Sequence, residues 1–362
     1  MLSRYLDVAH SKPWSLNKPA WTVIILYHDR RLARAALGPA RSRIDIAFVA
    51  HHALSDGLSG VVFHQSLVQN LAHELKLDRP ATWPLELTEN VPPPKALEDL
   101  IKMDPSVAGT EDHDRQPIWA GRPTSLQAGD GEDGIRSRTR LITVYPQYLH
   151  KALQTCKREQ ITLTGLLHGL ICVILSRQLA EAPGFRAITP YSIRRFTKAS
   201  KDEIVNHIFY MSTPVTRPRL EAIRATVPLS PVERQLIFSV ARTFNQAITK
   251  ELNRFPHDSP IASIGRLGDI LAHCRAQVGQ AREDTYELSN LGVAENPSRV
   301  IINSPLVLEK LFMTQSAMVA GPALGINCVS IRDGAMTLSI TWQHGIVEEW
   351  LVERLAQELE NL

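Results

Sequence analysis

Cysteine is scarce in this chain of 362 residues: Cys156, Cys172, Cys274 and Cys328 lie far apart and form no C-x-x-C pair. That excludes a disulfide-stapled scaffold and a cysteine zinc site, and it suits a reducing compartment. Charge of one sign is also missing, because 40 Lys and Arg against 37 Asp and Glu leave a formal charge of only +3. No basic run interleaves with the 6% of aromatic residues, so nothing points to a nucleic-acid partner. Long apolar runs are absent as well. The best of them, residues 163–179, is broken by His168, Ser176, Arg177 and Gln178, too short and too polar to span a bilayer. Residues 1–14 carry Arg4, Asp7, His10 and Lys12 where a signal peptide would need an apolar stretch. The expectation is a cytoplasmic protein with no integral membrane segment.

What is present is globular chemistry, 44% hydrophobic and 21% charged, enough for one large domain or two lobes sharing a core. A β-branched apolar run predicts a buried strand over residues 21–27 and an alternating one a strand over 44–50, followed by a one-striped helix over 61–75. Residues 29–42 read as a short helix or a solvated loop. Proline and acidic clusters then crowd residues 78–136, which read as a long crossover loop, with Trp119 as a candidate anchor. The second part of the chain predicts a strand at 138–144 and a helix at 146–159 with Pro146 in its first turn. A buried helix to residue 179 follows, capped by Thr162 or Thr164. Strands are expected at 186–189, 208–215, 300–303, 311–318, 324–331 and 336–342. Helices are expected at 231–252, capped by Ser230, at 261–281, and at 347–359 as the closing element. Residues 332–335 read as a hairpin turn. His168, Cys156 and Cys172 fall on apolar helix faces and read as satisfied core residues.

The segment that speaks of function is His51-His52-Ala53-Leu54-Ser55-Asp56-Gly57, a short loop between the 44–50 strand and the helix after it. A histidine at a strand end suits general-base work, since its ordinary pKa lies near neutrality. A partial metal site is the competing reading, but no third ligand, H-E-x-x-H pattern or cysteine pair stands nearby, so no metal is expected. The oxyanion donors that such chemistry needs are not legible in the sequence.

This segment resembles the HHxxxDG motif of the coenzyme-A-dependent acyltransferase superfamily, which holds chloramphenicol acetyltransferase, the plant BAHD enzymes and the condensation domains of peptide synthetases. Other stretches resemble the fungal alcohol acetyltransferase family in the right order. They are Trp119-Ala-Gly121, Ser137-Arg138-Thr139, the helix opening at Ile161, Tyr191-Ser-Ile-Arg194, Leu288-Ser289-Asn290-Leu291-Gly292, and the tail from Gly321. The resemblance implies an α/β fold of two chloramphenicol-acetyltransferase-like lobes, mixed sheets covered by helices, divided as residues 1–136 and 137–362. It implies acyl transfer, acetyl most simply, from an acyl-CoA cosubstrate to a small-molecule alcohol or amine, in fungal secondary metabolism. His52 would be the base, and Asp56 would hold the loop by pairing with an arginine. His51 and Gly57 would support the loop, and Asn290 is a candidate substrate donor with a turn role beside it. In the family an additional segment precedes the first strand, so the N-terminal lobe is expected to be incomplete and Arg138 or Arg194 to stand in for that segment's arginine. Condensation-type transfer from a carrier-protein thioester, or an inactive binding protein of the same fold, are the alternatives.

Overall fold

The computed structural model describes residues 2–15, 17–28, 43–77, 92–102, 116–124, 135–256, 268–297 and 306–362. The expected features at 29–42 and 300–303, and much of the 78–136 crossover, lie outside the described residues.

In the first part of the chain, α1 (Leu2–Ser11) precedes β1 (Trp21–Tyr27) and β2 (Ile44–Ala50), and α2 (Gly57–Leu77) follows them. The two strands pair antiparallel over their full length. Phe48 of β2 stacks on Phe63 of α2 with centroids 4.1 Å apart, which fixes the helix on the ribbon. The strand expected to be buried over 21–27 is instead an open one: no residue of β1 is buried, and Trp21 and Ile25 are each more than half exposed, since β2 is its one described sheet neighbour. A four-residue helix, α3 (Leu97–Leu100), is the one regular element described within the crossover.

The second part is built on a mixed sheet of β3 (Ser137–Val144), β4 (Phe185–Ser192), β5 (Ile208–Val215), β6 (Tyr286–Ala294), β7 (Leu324–Ile331) and β8 (Met336–Gln343). Its order is β3-β8-β7-β6-β4-β5, with β6 parallel to β4 and β7 and the other neighbours antiparallel. Between these strands run α4 (Pro146–Glu159), α5 (Leu163–Gln178), α6 (Arg194–Thr197), α7 (Arg217–Arg224), α8 (Pro231–Arg254), α9 (Ile270–Ala276) and, after β8, α10 (Glu349–Glu360). Thr162 caps α5 by accepting from Gly165 N, and Ser230 caps α8 by accepting from Glu233 N, so the hydroxyls satisfy amides the helices leave open.

The sheet has two unlike faces, and strand alternation makes them. Leu324, Ile326 and Cys328 of β7, Leu338, Ile340 and Trp342 of β8, and Ile142 and Val144 of β3 enter one core with α5 and α10. The alternate positions are polar: Ser137, Thr139, Asn327, Thr337, Ser339 and Thr341 are all buried on the other face. That hydroxyl-lined face is covered by α1 and by residues 306–318. Ser11 Oγ accepts from Ser137 N at 2.9 Å, and Asp7 pairs with Arg138, so α1 packs on β3 rather than beside β1.

Several sequence expectations need correction. Residues 311–318 form no strand, because their carbonyls face side-chain hydroxyls instead of a strand backbone. Thr337 Oγ1 donates to Leu311 O and Ser339 Oγ to Met313 O, so the segment is a strap across the sheet face. Of the helix expected over 261–281, the described part is helical only at Ile270–Ala276. Asp269 starts it by accepting from the amides of Leu271 and Ala272. β4 runs past residue 189 through Pro190, since its ladder to β6 ends at Ile188 and the missing N–H leaves no gap there. Residues 288–292, read as a turn-like motif, sit inside β6 as a bulge between Asn290 and Val293.

His168 is the core histidine the sequence suggests. It is buried, with Nδ1 at 3.0 Å from the Tyr286 hydroxyl and Nε2 at 2.9 Å from Thr189 Oγ1. Burial pushes its pKa from 6.5 down to about 3. The unfolded chain therefore binds a proton that the folded chain refuses. Stability from this group is complete above about pH 6.5 and is lost as pH falls toward 3, at up to about 1.4 kcal/mol per pH unit. Urea midpoints measured between pH 7 and 4 are expected to fall, with a shallower slope in a folded His168→Gln variant; parallel slopes would contradict this. Burial likewise raises the Cys172 and Cys328 thiols to about 12, as expected of inert core cysteines.

Candidate active site at the seam between the two sheets

The loop between β2 and α2 carries His51 and His52 to the point where the first ribbon meets β6. Gly57 opens α2 against β6: a Cβ there would lie 2.6 Å from Leu291 Cδ2 and 3.3 Å from Met313 Cε. Glycine therefore lets the helix start approach the strap and the sheet closely. One turn on, Val61 joins Leu291, Leu308 and Met313 around Ala294, Leu311, Val329 and Ile331, an apolar cluster that ties the two halves together. Gln65 Nε2 adds a bond to Glu295 O at 3.2 Å.

Asp56 lies beneath this loop, and its side chain is fully buried. Oδ1 accepts from Arg194 Nη2 at 2.8 Å, from Ser59 N at 2.9 Å and lies 2.9 Å from Ser59 Oγ. Oδ2 accepts from Arg194 Nε at 3.3 Å and from His207 N at 3.2 Å. The arginine is fixed in turn: Nη1 donates to the carbonyls of Ser200 and Glu203 at 3.1 and 2.9 Å. Asp56 N itself donates to Val205 O at 3.0 Å. This places Arg194, at the start of α6, as the arginine that pairs with the motif aspartate. Arg138, the other arginine considered, lies with Asp7 instead.

Both histidines are exposed, but they are held differently. His51 Nδ1 accepts from Ala53 N at 3.1 Å, and its ring meets Trp14 edge-on with centroids 6.2 Å apart, so it is folded into the loop. At His52 the backbone carbonyl is tied down, by Asn206 Nδ2 at 2.7 Å, and among the described residues no hydrogen bond to the ring is seen. Both Asp56 oxygens are engaged with Arg194, Ser59 and His207, and neither bonds the His52 ring. Asn290 is tied within the fold, as Nδ2 donates to Thr164 Oγ1 at 2.9 Å and Oδ1 accepts from Gly292 N at 2.8 Å.

Sequence reasoning missed two residues here. Ser59 bridges Asp56 to Val205, and Asn206 holds the loop carbonyl; both depend on chain segments well over a hundred residues away in sequence. It also missed Arg282, a buried cation whose guanidinium donates to the carbonyls of Arg122, Met318 and Gly321 and to Thr124 and Gln343. Arg282 thereby ties residues 116–124 to the strap. Trp119 helps from the same segment: its amide donates to Gly184 O at 2.9 Å and its carbonyl accepts from Thr285 Oγ1 at 2.5 Å, while the ring packs on the main core. Among the described residues no cluster of three or more His, Cys, Asp or Glu is arranged to hold a metal, and no single helix is long and apolar enough to cross a membrane.

The architecture is that of the chloramphenicol-acetyltransferase-like and condensation-domain class. The chain superposes on TRI3, the trichothecene 15-O-acetyltransferase of Fusarium sporotrichioides, with a TM-score of 0.65 at 16% identity, over 95% of this chain and 70% of that one. At that identity the likeness speaks for fold. A sequence profile of the alcohol acetyltransferase family matches residues 5–359, and the chain belongs to that family of acyltransferases. It is 25% identical over 350 residues to crmB, a probable alcohol acetyltransferase of Aspergillus fumigatus, across 94% of this chain and 71% of that protein. It is 26% identical over 376 residues to FCK4, a probable alcohol acetyltransferase of Fusarium pseudograminearum, across 99% of this chain and 74% of that protein.

Proposed function

We propose that this protein transfers an acyl group, acetyl most simply, from the thioester of coenzyme A to the hydroxyl of a small-molecule alcohol, with His52 as general base. The observation that carries the reading is the exposed His52 ring on a loop whose geometry is set from below by the Asp56–Arg194 pair.

The chemistry follows from that placement. A neutral His52 ring accepts the acceptor's hydroxyl proton as the oxygen attacks the thioester carbonyl. The tetrahedral intermediate collapses, the C–S bond breaks, and the imidazolium returns the proton to the departing thiolate. A base placed this way contributes roughly 10²–10⁴-fold to the rate. Asp56, with both oxygens engaged, fixes the loop and takes no proton. His51 packs the loop, and Gly57 permits the close approach to β6. An amine acceptor reacts by the same steps.

The test is a mass-spectrometric screen of the purified protein with acetyl-CoA and mixed small alcohols. An acetylated alcohol appearing with an equal amount of free coenzyme A is the expected result. Intact acetyl-CoA beside consumption of a carrier-protein thioester would overturn it in favour of condensation-type chemistry.

A further inference from the structure

Three consecutive residues just before β5 grip the motif loop from the second part of the chain. Val205 O accepts from Asp56 N at 3.0 Å and from Ser59 Oγ at 2.8 Å, and Val205 N donates to Ser59 Oγ at 3.1 Å. His207 N donates to Asp56 Oδ2 at 3.2 Å, and its carbonyl accepts from Ile193 N at 3.0 Å. These contacts hold the far end of the loop. Asn206, between them, reaches the near end, where Nδ2 donates to His52 O at 2.7 Å. Val205 and His207 are buried and tied through their main chain, so the side chain between them starts from a rigid base.

The Asn206 bond acts on one peptide unit. The amide joining His52 to Ala53 has its carbonyl on Asn206 Nδ2 and its N–H on His51 Nδ1, the latter at 3.1 Å. On the other side, His51 N donates to Ala20 O at 2.8 Å and carries the β1–β2 pairing up to the loop. A planar peptide held on both edges leaves the His52 backbone little freedom to turn, and the backbone fixes where the His52 Cβ points. Asn206 itself is half-buried, and its Oδ1 is buried and meets no donor among the described residues. A buried acceptor without a donor destabilises the folded chain, and an apolar residue of similar shape would remove that penalty. An amide that carries this cost while gripping the peptide of the candidate base points to function rather than packing.

We propose that Asn206 is a positioning residue for the base: by holding the His52 carbonyl it sets the peptide from which the reacting ring projects. This rests on His52 being the base. Without the bond the His52–Ala53 peptide can rotate, and the ring spends less time where it can take the proton of the acceptor hydroxyl.

Asn206→Leu removes the donor and the orphaned acceptor together at similar volume. Its kcat is expected to fall about tenfold, the upper end of what one neutral hydrogen bond is worth, with KM for acetyl-CoA and alcohol unchanged and a melting temperature no lower than the wild type. Asn206→Gln keeps an NH2 donor on a longer arm and should recover part of the rate. The NMR resonances of the His52 ring, assigned by their loss in His52→Ala, should move in Asn206→Leu and return toward their wild-type positions in Asn206→Gln. Asn206→Asp keeps the size but has no N–H to donate, and it carries the test if the leucine variant does not fold. Wild-type kcat with unmoved ring resonances in a folded variant would overturn the proposal, as would a loss of rate that only follows a lowered melting temperature. Full activity of His52→Ala would sink the base assignment instead, and the ring resonances would still decide whether Asn206 places the ring.

Discussion

Replacing Arg194 with methionine should destabilise the protein by about 3–5 kcal/mol, among the largest losses any single surface-neutral substitution here would produce. The argument is electrostatic. Asp56 has no exposed side-chain surface, and Arg194 is only 8% exposed, so neither charge can fall back on water when its partner goes. Arg194→Met also leaves the carbonyls of Ser200 and Glu203 without their donor, loosening the 200–207 segment that carries Asn206 and His207. Asp56→Asn is the milder change. It keeps the shape and loses the charge, so it should cost less stability than Arg194→Met while still lowering acyl transfer through loop geometry. The double variant, with both charges removed, should be more stable than the sum of the two single losses implies. Urea unfolding of the four proteins reads all three statements. Additive losses in the double variant would mean that the ion pair does not hold this loop.

Much of the fold was legible because local signals and tertiary packing agree. The helix at Pro146–Glu159 and the strands at Trp21–Tyr27 and Ile208–Val215 have the bounds their periodicity and caps suggest. The failures have physical causes. Residues 311–318 have the apolar content of a strand, but their polar partners are hydroxyls standing up from β8, a feature of tertiary packing with no local signature. β6 was hidden because Glu287, Ser289 and Asn290 make it polar. Asn290 bonds Thr164 at the start of α5, and Glu287 bonds Gln315 of the strap. The motif loop was legible from its residues, and so was Arg194 as one of two possible partners for Asp56. Ser59 and Asn206 were not, since each acts on the loop through a partner well over a hundred residues away in the chain.

The second large effect is on rate. His52→Ala is expected to lower acyl transfer by at least about 10²-fold with little change in stability, because the residue is exposed and the bond that ties it into the loop runs through its backbone carbonyl rather than its ring. His51→Ala should differ in kind. It removes the acceptor for Ala53 N and the edge contact with Trp14, so it should act through loop geometry and show in stability as well as in turnover.

The most direct measurement is therefore the rate of ester formation from acetyl-CoA by the wild-type, His51→Ala and His52→Ala proteins, side by side, on samples whose melting curves confirm folding. The account predicts that His52→Ala melts like the wild type yet loses at least about 10²-fold in kcat/KM, while His51→Ala keeps measurable turnover and melts lower. Near-normal turnover by a folded His52→Ala protein, or loss confined to His51→Ala, would contradict it.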